Sequence, residues 1–182
     1  MSLPPGPDYA PSTYLKDTKS TNVYVETGMF RGDSLQYALE AGFDTIIGID
    51  NDPWSIGFCN DRFKDNRRRF QLHQGDSSVM LWDVIKDIKE PITFFLDSHW
   101  QMLEGTDPGP SPFPLLQELK QIARHPLCIE HKVIIDDWHI FYHDRVGYTK
   151  ADILEALDKM GLKRQSLIAN PVINGICVAE KW

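Results

Sequence analysis

Apolar and polar positions along this chain follow two rhythms that alternate almost from end to end. Short, nearly continuous apolar runs mark strands buried on both faces. They fall at residues 22–27 (NVYVET), 45–50 (TIIGID), 69–73, 92–97 (ITFFLD) and 132–136 (KVIID). Between them the apolar spacing lengthens to that of a helix. Asp33 or Ser34 can cap a helix through Glu40, with Gly42 as its stop. Pro53, at a favoured first helical position, opens a second helix to about Phe63. Within 78–88 the apolar positions 81, 84, 85 and 88 form a helical stripe, and 115–124 forms another helix. A last helix over 149–160 ends at Gly161, before two short strands at 164–168 and 176–180.

This order implies right-handed crossovers and a mostly parallel sheet covered by helices on both faces. The last two strands break the pattern. Their connection carries Asn170-Pro171 and Asn174-Gly175 and is too short for a parallel return, which needs about a dozen residues. They should pair antiparallel. The expected fold class is α/β, a doubly wound seven-stranded sheet, mostly parallel with an antiparallel C-terminal strand. The chain reads as an N-terminal arm, 1–21, and one domain, 22–182. The stretch at 105–114 (GTDPGPSPFP) reads as a loop over one end of the sheet, not as a linker.

Composition narrows the function classes. The chain is 42% hydrophobic and 25% charged, as in ordinary soluble domains. Its net charge of -7 argues against a nucleic-acid partner, since phosphate contacts dominate such binding. The one basic run, Arg67-Arg68-Arg69, reads as a solvated turn before a strand. Cys59, Cys128 and Cys177 are odd in number and widely spaced, so reduced thiols and a cytoplasmic location are expected. No apolar stretch approaches the roughly 20 residues of a membrane span, so no membrane association is expected.

Ligands of open α/β sheets bind beyond the carboxyl ends of the strands. Here those ends are acidic or glycine-rich: Glu26-Thr27-Gly28, Asp50-Asn51, Gly75-Asp76-Ser77, Asp97-Ser98-His99 and Asp136-Asp137. A single Asp after a strand is usually a helix cap. Five acidic strand ends together define an acidic crevice. The first loop, Glu26-Thr27-Gly28-Met29-Phe30-Arg31-Gly32, has Phe30 where a dinucleotide-binding loop has its second glycine. In it Gly28 permits a tight turn and close backbone approach, and Gly32 can let the next helix pack against the strand. Asp50, at the end of the second strand, can accept both hydroxyls of a ribose, which favours a nucleoside-containing ligand.

The series ETGMFRG, IGIDND, QGDSS and FFLDSH resembles the motifs of class I S-adenosylmethionine-dependent methyltransferases, a Rossmann-like fold that also ends in an antiparallel hairpin, with its seventh strand inserted between the fifth and sixth. The resemblance spans residues 22–182. It implies that Glu26, Thr27, Gly28, Met29, Phe30, Arg31, Gly32 and Ser34 surround the methionine part of the cofactor. Asp50 and Asn51 would meet the ribose, Asp76 and Ser77 the adenine, and Asp97 and Ser98 would complete the cofactor site. Trp54 could cover the adenine, although helix packing explains a tryptophan there equally well. A crevice of carboxylates suits a sulfonium and an ammonium better than it suits the phosphates of NAD.

LDSHW and VIIDDW also resemble the macrocin O-methyltransferase and cephalosporin-hydroxylase-like branch. That likeness implies a magnesium site at Asp97, Asp136 and Asp137 and a general base at His99 or His139. The bland reading is that Asp136-Asp137 caps a loop and that the histidines are surface residues. The acceptor pocket would come from the loops 98–114 and 138–148, which hold His99, Trp100, Phe113, Trp138, His139, Phe141, Tyr142, His143 and Tyr148. These aromatics suit stacking on a small-molecule acceptor, or equally the surface of a homo-oligomer. The expected activity is O-methylation of a small-molecule or glycoside hydroxyl. A non-catalytic S-adenosylmethionine-binding module and an NAD-dependent oxidoreductase are the alternatives.

Overall fold

The computed structural model describes residues 15–16, 18–99, 111–168 and 176–181. Most of the expected N-terminal arm, Trp100, the start of the proline-rich loop and the turn signals of 169–175 lie outside these residues. The strands are β1 (Val23–Thr27), β2 (Thr45–Asp50), β3 (Phe70–Gln74), β4 (Ile92–Leu96), β5 (Lys132–Ile135), β6 (Lys163–Ile168) and β7 (Ile176–Glu180). The main helices are α1 (Asp33–Ala41), α2 (Pro53–Arg62), α3 (Ser77–Ile85) and α4 (Leu115–Ile122), then the short α5 (His143–Val146) and α6 (Lys150–Lys159). The short α5 lies in a stretch that the apolar pattern assigns to loop.

The strands form one sheet in the order β3-β2-β1-β4-β5-β7-β6. Pairings among β1 to β5 are parallel, while β7 pairs antiparallel with both β5 and β6. The chain thus returns β7 between β5 and β6, which distinguishes it from the 3-2-1-4-5-6 order of dinucleotide-binding sheets.

Alternation along each strand divides the core into two halves. Val23, Val25, Ile92, Phe94, Leu96, Val133 and Ile135 pack with the apolar residues of α3, α4 and α6. Tyr24, Ile46, Phe95 and Ile134 face the opposite side, with Leu35 and Ala38 of α1, Cys59 of α2, and Phe63. In β1 this leaves Glu26 on the α1 side and Thr27 on the side of α3 and α4. Both are fully buried.

The helix ends show local chemistry, with one correction. Asp52 caps α2 by accepting from the Trp54 and Ser55 amides at 3.1 and 3.3 Å. Thr149 and Asp152 form a capping box on α6. The start of α1 differs from the expected Asp33 or Ser34 cap. Gly32 holds that position in a left-handed conformation, with no side-chain cap. Ser34 is instead drawn inward to Glu26. Asp33 pairs with Arg62 at 2.6 Å.

Candidate functional site

The floor of the crevice starts at the end of β1. Tyr24 Oη donates to Glu26 Oε2 at 3.2 Å, and Ser34 Oγ donates to Oε1 at 2.7 Å. Burial raises the Glu26 pKa well above its ordinary value; Asp97 and Asp50 add to this, and the two hydroxyls only partly offset it. Gly28 follows at φ +78°, and a Cβ there would stand 2.5 Å from the Asp97 carbonyl oxygen. Only glycine lets the two strand ends approach so closely. Met29 is buried in the core, so it can present only backbone to the crevice. Phe30 adopts φ +43°, a left-handed conformation uncommon for a bulky residue, and is 55% exposed. Gly32 has a different role from the expected helix–strand contact. A Cβ there would meet the Phe63 ring at 2.8 Å and Cys59 Sγ at 2.9 Å, so it admits α2 and the residue after it.

Asp50 holds the loop in place. Its Oδ2 accepts from the Phe30 amide and its Oδ1 from the Asp52 amide, both at 2.9 Å. The Met29 amide also acts on this carboxylate, which leaves acceptor capacity for a ligand hydroxyl. Burial raises the Asp50 pKa, with backbone hydrogen bonds opposing the rise. Asn51 is exposed beside it. Above this rim Trp54 lies 5.9 Å from Phe30 and stacks on Phe58 at 5.2 Å, with the Arg31 guanidinium over both Phe30 and Trp54. Trp54 therefore belongs to an exposed aromatic cluster and not to the core.

The end of β3 places Asp76 as the cap of α3. Its Oδ1 accepts from the Ser78 amide at 2.7 Å, whereas Oδ2 is buried with no hydrogen-bond partner. A buried acceptor without a donor costs about 1–3 kcal/mol. It fits a ligand that brings a hydrogen. Ser77 is 3% exposed and its hydroxyl donates to Glu118 of α4, a residue absent from the sequence-derived site.

Across the crevice the strand ends of β4 and β5 meet. His99 Nδ1 lies 3.4 Å from Asp97 Oδ1, and its Nε2 lies 3.2 Å from Asp137 Oδ2. Burial opposes the charge on His99, but the Asp97 hydrogen bond and the fields of Asp97, Asp137 and Asp136 outweigh it, and the pKa is raised. Asp97 itself is raised by burial, with His99 opposing. His139, exposed, points Nδ1 at Asp137 Oδ1 from 3.7 Å. Ser98 Oγ lies 3.2 Å from Ser77 Oγ.

The metal set suggested by the sequence was Asp97, Asp136 and Asp137. The structure gathers Asp97, His99 and Asp137, whose ligand atoms lie within 4.8 Å of one another. Asp136 accepts from the Asp137 amide at 2.8 Å instead. Burial, then Asp97, pushes its pKa up to about 7. Asp137 reaches the group because it adopts φ +48°, which turns its side chain back toward β4.

The expected aromatic acceptor surface is largely taken into the fold. Trp138 and Phe141 are each 6% exposed, and Tyr148 stacks on Phe141 with its hydroxyl donating to the Phe113 carbonyl. Tyr142 and His143 stay exposed. Trp100 lies outside the described residues. Among those residues, no helix is long and apolar enough to cross a membrane.

No protein-family model matches the sequence, and no curated protein does. Solved structures do. The chain superposes on the geranyl diphosphate C-methyltransferase of Streptomyces coelicolor, solved in complex with Mg2+, geranyl-S-thiolodiphosphate and S-adenosyl-L-homocysteine, with a TM-score of 0.65 and 12% identity. That match covers 94% of this chain and 75% of the other. The SAH-bound methyltransferase PaMTH1 of Podospora anserina gives 0.62 at 15% identity, over 94% and 76%. A TehB-like SAM-dependent methyltransferase from Corynebacterium glutamicum gives 0.60 at 17% identity, over 96% and 89%. At these identities the likeness is one of fold.

Proposed function

We propose that this chain is an S-adenosylmethionine-dependent methyltransferase acting on a hydroxyl of a small molecule or glycoside. One observation carries the reading. Glu26, Asp50, Asp97 and Asp136 gather at the ends of β1, β2, β4 and β5, where Asp97 raises the pKa of Glu26 and Asp136, and Asp50 raises those of Glu26 and Asp97. The groups acting most strongly on them are each other, other acids, backbone amides, hydroxyls and His99; no lysine or arginine is among them. Such a site favours a cationic occupant over a polyphosphate.

The residues fit the cofactor at two points. The unpartnered Asp76 Oδ2 suits the exocyclic amine of adenine, and the remaining acceptor capacity of Asp50 suits a ribose hydroxyl. Bound there, the cofactor would supply an electrophilic sulfonium methyl to an acceptor oxygen, and a base of this chain would have to take the hydroxyl proton. His139 serves that step better than His99, because both ring nitrogens of His99 already face carboxylates. Positioning of donor and acceptor does most of the remaining work. Asp97, His99 and Asp137 would hold a divalent cation that lowers the pKa of the acceptor hydroxyl.

Thermal unfolding tests the cofactor. S-adenosylhomocysteine at about 100 times its dissociation constant should stabilise the fold by about 2.7 kcal/mol. For a chain of this size that is a rise of roughly 5–10 °C, with no rise from NAD. Asp50→Ala should lose most of the ligand-induced rise relative to its own unliganded value. A full rise in that variant would move the ribose elsewhere. A rise with NAD alone would support the oxidoreductase reading.

A further inference from the structure

Beneath the crevice lies a second polar group, and nothing in the proposed chemistry uses it. On α4 the core residues Leu115, Leu119 and Ile122 mark an apolar stripe, and Glu118 occupies a place within it at 1% exposure. Ser77 Oγ donates to Glu118 Oε1 at 2.6 Å and lies 3.2 Å from Ser98 Oγ. Three residues along, Gln121 Nε2 donates to the Ser77 and Ser78 carbonyls at 2.9 and 2.8 Å, while its Oε1 accepts from the Trp82 amide at 2.7 Å. Two side chains of α4 thus grip the first turn of α3, which carries Asp76 and Ser77.

Two buried oxygens in this group have no hydrogen-bond partner: Thr27 Oγ1 and Glu118 Oε2. The Thr27 hydroxyl is nevertheless close enough to act on the Glu118 carboxyl. One proton on Oε2 resolves both, with the carboxyl donating and the threonine oxygen accepting. Thr27 could instead donate to an ionised carboxylate, but that would bury a full charge. The ionisable groups acting most strongly on Glu118 are Asp76 at the cap of α3 and Asp97 after β4, with Tyr148 before α6 also facing it, and none of these is a cation. Burial foremost, then the fields of Asp76 and Asp97, raises the carboxyl to about 7 against the pull of the Ser77 and Thr27 hydroxyls.

We propose that Glu118 works as a protonated positioning residue: it ties α4 to α3 through Ser77 and to β1 through Thr27, and so sets Asp76 and Ser77 for the nucleoside end of the ligand. The identity of that ligand rests on the cofactor reading above; the protonated tie does not. When Glu118 ionises, Thr27 must turn its hydroxyl to donate, and a buried negative charge faces Asp76 and Asp97, whose repulsion displaces the first turn of α3.

Glu118→Gln separates charge from shape, because its amide accepts from Ser77 and donates to Thr27 as the neutral acid does. Calorimetry with S-adenosylhomocysteine should give dissociation constants within threefold for the variant and the parent at pH 6. At pH 8.5 the parent should bind at least fivefold more weakly than Glu118→Gln. Glu118→Ala should bind more weakly than either at pH 6. A parent-to-variant ratio that stays constant or falls with pH, or a tenfold loss in Glu118→Gln at pH 6, overturns the proposal. If the parent binds no S-adenosylhomocysteine, the cofactor reading fails, while melting temperatures still decide the tie. Glu118→Gln should melt with the parent at pH 6 and above it at pH 8.5; equal melting at both rejects the proton.

Discussion

Gly28 shows how much a single position can carry. Its positive φ is matched by a neighbouring backbone that a Cβ would strike at 2.5 Å, and neither the Asp97 carbonyl nor Ser98 Cα can swing aside as a side chain would. Gly28→Ala should cost about 2–5 kcal/mol, combining left-handed strain with overpacking. Gly42→Ala is the control: φ is +85°, but open space surrounds the new methyl, so only about 1 kcal/mol is expected. Melting curves of the two variants should separate by several degrees; equal losses would show that the close approach is dispensable. Sequence reading found Gly28 because glycine after a strand is conspicuous. It missed Glu118, although a glutamate within an apolar stripe at helical spacing is a signal open to reading. It also placed Gly32 against the wrong partner, since contact with Phe63 and Cys59 joins residues about thirty apart.

At the scale of elements, the strand ends set the chemistry by register. The parallel pairing of β1 with β4 and of β4 with β5 brings Asp97 beside Gly28 and near Asp137. Legible in the sequence were the carboxylates and the strands that end on them. The grouping of Asp97, His99 and Asp137 was not, because it depends on the backbone at Asp137, which is left-handed at φ +48°. With His99 contributing nitrogen, the group suits Mn2+ or Zn2+ better than an all-oxygen magnesium site. Titration calorimetry should find Mn2+ at least tenfold tighter than Mg2+, with Asp137→Ala losing binding and Asp136→Asn retaining it. The reverse order of the two variants would restore the set proposed from sequence alone.

For the whole molecule, stability against pH is a contest between the two ends of the sheet. At the crevice, carboxyls with raised pKa values, such as Asp136 and Glu118 at about 7, bind protons more readily folded than unfolded. They therefore favour the fold as pH falls from 7 towards 4. At the opposite end, His131 Nδ1 accepts from the Ile92 amide at 3.1 Å and its Nε2 meets His125 Nδ1 at 3.0 Å, while His125 Nε2 lies 3.0 Å from the Ile88 carbonyl. That chain requires a neutral His131, and burial, with His125 adding, lowers its pKa to about 3. A histidine neutral in the fold and charged when unfolded destabilises as pH falls below about 6.5. His131→Asn, whose Oδ1 can replace Nδ1, should lower stability at pH 7. Relative to the parent, it should then gain about 2 kcal/mol between pH 7 and pH 5 by urea unfolding. Parallel pH profiles for the two proteins would remove His131 from the balance.

The sequence by itself determined the order of strands and helices, the antiparallel close and the acidic character of the strand ends. Those properties follow from spacing and turn chemistry within a few residues. Only the tertiary structure decided which carboxylates lie together, whereas the place of β7 between β5 and β6 was already implied by the family resemblance. The tertiary structure also decided which aromatics are exposed and that Glu118 lies beneath the crevice. Each of those depends on register and burial between segments far apart in the chain, and local patterning carries no record of such distances.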